Sequence, residues 1–183
     1  DNVLINQAIV YFKNEEGRYK EAGNIKNAVP FLHQDPDSDE ILGQCEESGR
    51  DQGHATLCVS LMGAFCQMAY SIGEDLFAFD NYRAVAMAEY VGKYNLIKDE
   101  AFNKGTLVGD DFVYDSHSFP YTSYSNPSYT NATISTDQRG TKRPAWELFY
   151  GYCKAKGISS IYSGKWAEQM RPDGGGGNYG PNS

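Results

Sequence analysis

The sequence lacks any apolar run long enough to cross a membrane. Its longest uninterrupted apolar stretches fall far short of the ~20 residues that a transmembrane helix needs. An excess of positive charge is also missing, since 16 Lys and Arg stand against 24 Asp and Glu and the formal net charge is −8. A general nucleic-acid binder would usually be basic. The composition therefore predicts neither a membrane nor a nucleic-acid partner.

Cysteine is scarce, and its four copies form no C-x-x-C pair, which removes support for a zinc ribbon. Cys58 and Cys66 would lie ~12 Å apart on one helix, beyond the reach of a disulfide. We expect both to be free thiols in the interior. Cys45 and Cys153 could pair, but the spacing does not decide it. The sequence predicts no metal site and no organic cofactor.

Hydrophobic periodicity predicts an all-α domain. The 183 residues, 40% apolar and 22% charged, suit a single domain spanning 1–183. Residues 3–13 have the apolar spacing of an amphipathic helix. Residues 51–72 give the strongest helix signal and are apolar on nearly every side. We therefore expect that helix to be buried between other elements and to end at Gly73.

The rest of the chain is predicted to alternate helices with long loops. Three more helices are expected: one capped by Asp80 or Asn81 and ending near Tyr94, one from Pro144 to about Lys156, and one over 162–170. The acidic stretch 33–40 is broken by proline and should be a solvated loop. Residues 116–136 carry no charge and are rich in Ser, Thr, Asn and Tyr, which predicts a long, functional loop or a short hairpin.

Polar residues are concentrated where the apolar helix begins. Arg50 and His54 are four residues apart and would share one helix face, with Gln52 close to the helix start. A polar first turn is unusual in a helix that is otherwise apolar, which suggests a site. The alternative is purely structural: Ser48 or Asp51 caps the helix and Arg50 pairs with a carboxylate.

A second concentration lies at the start of the helix predicted after Pro144. Arg139 and Arg143 belong to three cations within five residues. Arg143, Glu147 and Tyr150 stand at i, i+4 and i+7, which would place a guanidinium, a carboxylate and a phenol on one stripe close to Trp146. The alternative is a surface ion pair between Arg143 and Glu147, worth only ~0.3–0.5 kcal/mol.

Arginine, histidine and tyrosine together suit proton abstraction next to a carboxylate. Arginine binds a carboxylate with two parallel hydrogen bonds and makes the neighbouring proton more acidic. Histidine accepts a proton near neutral pH, and tyrosine serves as a base only where nearby cations favour the phenolate. A base and an acid on one uronate residue give β-elimination from a uronic-acid polymer. Aromatic loops would suit such a substrate, because sugar rings pack on aromatic faces.

Four segments resemble the alginate-lyase superfamily of (α/α) toroid proteins, with the nearest likeness to alginate and glucuronan lyases. The segments are ESGRDQGH at 47–54, AEYVGKYNL at 88–96, RGTKRPAWELFY at 139–150 and RPDGGGGNYG at 171–180. The resemblance implies an (α/α) toroid, or an incomplete barrel of helical hairpins with long aromatic-rich loops. It also implies β-elimination of an acidic polysaccharide by a secreted or periplasmic enzyme.

The resemblance carries catalytic roles onto three positions. His54 matches the catalytic histidine, Arg143 (or Arg139) the arginine that binds the carboxylate, and Tyr150 the catalytic tyrosine. The family also uses an asparagine in an Asn-Trp segment upstream of the histidine, and no such segment precedes Glu47. The chain is also short for a complete toroid. We expect it to be part of a larger barrel that a second chain or fragment would complete.

Further substrate-binding candidates surround the three catalytic positions. Arg50 and Gln52 match the polar shell around the family histidine. The other candidates are Arg139, Glu147, Trp146, Tyr121 and Arg171.

Two other functions remain open from the sequence. One is a carbohydrate-binding protein without catalysis, using the same groove with an incomplete set of acid and base groups. The other is a glycoside hydrolase on a similar toroid, which needs two carboxylates across the sugar, here Glu47 and Glu147.

Overall fold

The computed structural model describes residues 2–14, 23–126 and 129–171. This part is mostly helical, with 54% helix and 9% strand, which confirms a mainly α class. The helices are α1 (Asn2–Asn14), α2 (Ile25–Ala28), α3 (Gln52–Ser71), α4 (Phe79–Asn95), α5 (Trp146–Lys156) and α6 (Ile161–Met170). Two antiparallel hairpins pair β1 (Phe31–Gln34) with β2 (Ile41–Gln44) and β3 (Tyr124–Asn126) with β4 (Tyr129–Asn131). None of the helices in these ranges is long and apolar enough to cross a membrane.

Helix α4 forms the centre of the fold. Every residue from Ala84 to Asn95 is buried, and the helix packs against β2, α3 and α6. Gly43 lets β2 approach closely, because a Cβ there would lie 2.8 Å from the backbone nitrogen of Met87. The predicted start of this helix is only roughly right. Residues 80–82 have left-handed φ angles of 51°, 56° and 60°, so regular helical geometry begins at Arg83.

Helix α3 matches its prediction in length but not in burial. Asp51 caps its first turn by accepting a hydrogen bond from the backbone N–H of His54 at 2.7 Å. Gly73, with a φ of +91°, follows its last turn as predicted. The helix is not buried on every side, since Leu61 and Met68 are more than 60% exposed. Its described neighbours α4 and α5 cover one side of it.

The acidic stretch 33–40 is only in part the solvated loop that its composition predicts, because residues 36–40 form an exposed or half-exposed turn while Asp35 is buried. Its first two residues complete β1, which pairs with β2. Asp35 is buried and hydrogen-bonded to the buried ammonium of Lys93 on α4. The prediction fails at Asp35 because the burial of its carboxylate depends on the cation of Lys93, 58 residues away. The hairpin predicted within 116–136 is present as β3 and β4, although residues 127 and 128 lie outside the described ranges.

Two helical glycines give a matched test of core packing. A Cβ on Gly63 of α3 would lie 2.8 Å from the ring of the buried Phe149, whereas a Cβ on Gly151 of α5 would meet nothing within 4 Å. Gly63→Ala should therefore lower the free energy of unfolding by about 1–3 kcal/mol through overpacking. Gly151→Ala should raise it by about 0.5–1 kcal/mol through helix propensity. Urea unfolding of both variants checks this, and changes of the same sign would contradict the packing of α5 on α3.

Candidate functional site

His54 is held in place by the residue that caps its helix. One carboxylate oxygen of Asp51 accepts the backbone N–H of His54, and the other lies 2.6 Å from the ring nitrogen Nδ1. Asp51 therefore begins α3 and orients the imidazole with the same carboxylate. The D-x-x-H spacing at a helix start is the sequence signal for this pairing. The sequence predicts Asp51 as a helix cap but not as the partner of His54.

Arg50 fixes which ring nitrogen of His54 carries the lone pair. Its Nη2 atom lies 3.1 Å from Nε2 of His54. A guanidinium is a donor only and stays charged, so Nε2 acts as the acceptor and Nδ1 carries the hydrogen given to Asp51. The side chains of Arg50 and His54 are 46% and 41% exposed, which leaves this pair open to a ligand.

Asp51 stays ionised in this arrangement. Burial would raise its pKa, but hydrogen bonds from the backbone N–H and ring of His54, and the charge of Arg50, outweigh burial and lower the pKa. Arg50 is also bonded weakly to Glu47, with Nη1 3.4 Å from Oε2. The carboxylate of Asp51 orients the ring as in a general base, while the guanidinium of Arg50 occupies the lone pair of Nε2 until a ligand draws it away.

Arg143, from the segment before α5, contacts residues on either side of His54 in α3. Its Nη2 donates to the carbonyl oxygen of Gly53 at 3.2 Å, and its Nε donates to the hydroxyl of Thr56 at 3.2 Å. Helix α5 begins at Trp146, so Arg143 precedes it and does not share a helical stripe with Glu147, as the spacing suggested. We call Arg50, His54 and Arg143, with the orienting Asp51, the His54 cluster.

Two glycines allow side chains from the uncharged segment 116–136, and from Gln138 just after it, to approach the start of α3. Gly53 has no Cβ, and the amide oxygen of Gln138 occupies the space that one would fill. Gly49 is covered in the same way by the hydroxyl of Tyr121, which donates to the carbonyl oxygen of Asn131 at 3.3 Å. The predicted candidate Tyr121 therefore lies over the short 3-10 helix that leads into α3. Gln138 carried no sequence signal, because only tertiary packing brings it to Gly53.

Gln52 has a structural role instead of the predicted contact with substrate. It is buried, its Nε2 donates to the carbonyl oxygens of Ser48 and Ser135, and its Oε1 accepts from Asn95. These bonds use both N–H donors of the amide and one lone pair of its oxygen. The side chain connects the start of α3 to Asn95 at the end of α4 and to Ser135 near the end of the segment 116–136. It thereby fixes the backbone that carries the His54 cluster.

Arg139 is also structural, contrary to its predicted role. Its guanidinium lies between the rings of Tyr94 and Phe112, about 4 Å from each centroid, and donates to the carbonyl oxygens of Tyr94 and Tyr114 at 2.7 Å. Burial lowers its pKa. Arg139 is half-buried and lines an open cleft with Gln138, but its Nε and Nη2 are already used by these two carbonyl oxygens.

Trp146 is unavailable for a similar reason. The side chain is 1% exposed and stacks on Trp166, with ring centroids 5.3 Å apart. It belongs to the core between α4, α5 and α6 and not to a sugar-binding surface.

Tyr150 is placed with a second group of predicted residues, away from the first turn of α3. Its ring packs against Gly164 of α6, and the guanidinium of Arg171 lies 5.2 Å from its centroid. Arg171 is hydrogen-bonded to Glu147. Phe149, the preceding residue, faces Gly63 of α3. Successive helical residues differ by about 100° around the axis, so Tyr150 faces α6 while its neighbour faces α3.

The open cleft that Arg139 and Gln138 line is connected to the His54 cluster only through Gln138 among the residues that the structure describes, and no residue of the cluster lines it. Its volume is about 760 Å³, within the usual range for ligand sites. Gln138, which covers Gly53, is part of its wall, and Lys104 and Lys142 line it further on. Over the described ranges, no group of three or more His, Cys, Asp and Glu side chains could hold a metal ion.

Comparison with known proteins gives no relative for this chain. No protein-family model matches it, and no curated protein or solved structure matches it either. The resemblance to toroid lyases thus remains a prediction from sequence motifs. Function has to be argued from the chemistry of the His54 cluster.

Proposed function

We propose that this chain is a polysaccharide lyase that cleaves a uronic-acid polymer by β-elimination. The observation that carries the proposal is the His54 cluster: an imidazole oriented by Asp51 and contacted by the guanidinium of Arg50, with the guanidinium of Arg143 bonded to the neighbouring Gly53 and Thr56. Elimination next to a carboxylate needs a base and a cation that neutralises the carboxylate. Both are present on a part of the surface that a ligand can reach.

The proposed base is Nε2 of His54. Once Arg50 turns its Nη2 from Nε2 to the substrate carboxylate, Nε2 removes the proton on C5 of the uronate, and Asp51 stabilises the imidazolium that forms. Arg50 binds the carboxylate on C5, so that negative charge developing there is neutralised. Its contacts with Glu47 are long and half exposed, and an ion pair of that kind is worth at most ~1 kcal/mol. Arg50 can therefore exchange Glu47 for a substrate carboxylate at little cost.

The same histidine can also act as the acid. As the C5–H bond breaks, a double bond forms between C4 and C5 and the C4–O bond breaks. The imidazolium then gives its proton to the departing oxygen. One residue can do both only if the C5 proton and the C4 oxygen lie on the same face of the ring. This holds for β-D-mannuronate and D-glucuronate and does not hold for L-guluronate. With Tyr150 facing α6, the geometry favours this single-residue mechanism.

The surroundings suit an acidic chain in an otherwise acidic protein. Lys104 and Lys142 line the cleft that continues from Gln138; Lys104 is paired with Asp111, and Lys142 supplies local positive charge against the net charge of −8. Tyr121, on the other side of the cluster, offers an aromatic surface. Helices adjacent in sequence pack together as α3 with α4 and α5 with α6. This pairing is compatible with one part of an (α/α) toroid in a larger barrel, acting outside the cytoplasm.

A carbohydrate-binding protein without catalysis is the second candidate. The placement of Tyr150 favours it, because the phenol that family resemblance makes catalytic is not part of the His54 cluster. The hydrolase alternative has less support, since Glu47 and Glu147 are each paired with a different arginine on different elements.

Incubation with four polymers separates these functions. A lyase should produce the ultraviolet absorbance of an unsaturated uronate from polymannuronate or glucuronan, and much less from polyguluronate; mixed alginate should be cut at its mannuronate residues. New reducing ends without absorbance would replace the proposal with hydrolysis. Retention on a polyuronate column with neither product would leave a binding protein.

A further inference from the structure

Gln138 lies where the His54 cluster meets the open cleft. Its amide oxygen rests against Gly53, in the space that a Cβ would fill, and its Cδ lies 3.0 Å from that Cβ position. Gly53 shares a helix face with Arg50 and His54, because residues 50, 53 and 54 stand at i, i+3 and i+4. Gln138 also lines the cleft. A polymer that extends from the cluster into the cleft therefore passes this amide.

The backbone at Gln138 is held in a conformation that does not favour glutamine. Its φ is 54°, in the left-handed region that glycine adopts without strain. Hydrogen bonds hold it on both sides: the carbonyl oxygen of Asp137 accepts the N–H of Gln52, and the N–H of Gly140 donates to Asn95, each at 2.9 Å. Strain of this kind persists where the surrounding structure fixes it, and it is concentrated at ligand-binding sites.

The donors of this amide are open to a ligand. The side chain of Gln138 is exposed, and within the described ranges the structure gives its amide no hydrogen-bond partner. Since the oxygen faces Gly53, the two N–H groups of Nε2 are left to bind an acceptor. A uronate unit offers such an acceptor in its carboxylate, and hydrogen bonds to an ionised acceptor are the stronger kind.

We propose that Gln138 binds the sugar unit next to the one that is cleaved, by donating from Nε2 to the carboxylate of that unit. Arg50 takes the carboxylate of the cleaved unit, so the neighbouring carboxylate needs a separate donor on the path into the cleft. Gln138 would thus select for a uronate at two successive positions of the polymer. This role rests on the proposed function, because it concerns the same substrate.

Gln138→Gly tests the role without straining the backbone. The KM for polymannuronate should rise about 10-fold through loss of one hydrogen bond to a charged group, while kcat stays near that of the wild type. The Tm should hold or rise, because glycine adopts the left-handed conformation freely. Gln67→Ala, which removes an exposed glutamine further along α3, is the matched control and should leave KM unchanged. A wild-type KM in Gln138→Gly, or a raised KM together with a lower Tm, would overturn the proposal.

Gly53→Ala tests the same contact from the other side. The new Cβ would take the place of the amide oxygen, so it should displace Gln138 and raise KM although the glutamine is still present. Because both changes remove one interaction, the double variant Gly53→Ala/Gln138→Gly should be no weaker than either single variant. Losses that add would mean that the two residues act separately, which contradicts the proposal.

Cleavage and binding together separate this role from the lyase proposal. If the wild type cleaves polymannuronate and Gln138→Gly has the same KM, only the role of Gln138 fails. If the wild type binds a polymannuronate column without cleaving, the lyase proposal fails, and Gln138→Gly should then elute at lower salt than Gln67→Ala. Equal elution would overturn the role of Gln138. A wild-type chain that neither binds nor cleaves would overturn both.

Discussion

Replacing His54 with Gln should lower the rate of uronan cleavage about 10²–10⁴-fold, the usual contribution of a positioned acid or base. Glutamine can donate and accept hydrogen bonds but cannot take the C5 proton. The fold should be unaffected, because the His54 side chain is 41% exposed and the cap on α3 uses its backbone N–H. Initial rates of absorbance increase measure the loss, and a thermal melt verifies that Tm is unchanged.

Three variants make that result specific. His117→Gln is the matched control, since His117 is 92% exposed and, among the residues that the structure describes, pairs only with Asp115; its activity should equal that of the wild type. Asp51→Asn keeps an oxygen for the cap but removes the charge beside the imidazolium, so the rate should fall while substrate affinity holds. Tyr150→Phe tests whether Tyr150 is catalytic, as the family resemblance implies. If His54 is both base and acid, the variant should keep its activity. A wild-type rate in His54→Gln would remove the histidine from the mechanism.

Local sequence signals predicted the His54 turn well because its parts are neighbours in the chain. Asp51, Arg50 and His54 lie within five residues, so helical periodicity alone places them together. The end of α3 at Gly73 was predictable for the same reason, since a left-handed residue there needs no distant partner. Arg143 was a candidate because of the motif resemblance, and its spacing did not predict its neighbours. Tertiary packing of the segment before α5 brings it to Gly53.

The position of Tyr150 could not be predicted from its spacing. The i, i+4, i+7 pattern assumes that Arg143 belongs to the helix, but α5 begins three residues later. Which face of α5 meets α3 is decided by the fit of Phe149 against the bare backbone of Gly63. That contact joins residues far apart in the chain, and it turns Tyr150 toward α6. Tertiary contacts that spacing cannot predict also explain Arg139 and Trp146, whose residue types suit binding. Trp146 is buried, and the half-buried Arg139 has its guanidinium between two aromatic rings.

Replacing Lys93 with Met should have the largest effect on stability, about 3–5 kcal/mol in the free energy of unfolding. Lys93 Nζ is buried, hydrogen-bonded to Asp35 and 2.5 Å from Asp37, and it lies 4.6 Å from the ring centroid of Tyr114. Methionine fills the space but leaves the buried carboxylate of Asp35 without its cation. Urea unfolding at neutral pH measures the loss. Asp37→Asn is the matched control, because Asp37 is 55% exposed and its loss should cost much less.

The pH dependence of stability should identify Asp35 as a group whose protonation destabilises the fold in acid. Burial opposes ionisation of Asp35, but hydrogen bonds from Lys93, Ser38, Tyr162 and the backbone N–H of Asp37 outweigh it and lower the pKa from 3.8 to about 2. A carboxyl group with a depressed pKa stabilises the fold above its unfolded pKa, and that stability is lost as pH falls from about 4 toward 2. In Lys93→Met the main donor is gone, the pKa of Asp35 moves back up, and the loss on acidification should shrink. An equally steep loss in wild type and variant would mean that other carboxylates, and not the buried pair between β1 and α4, set the acid limit of this fold.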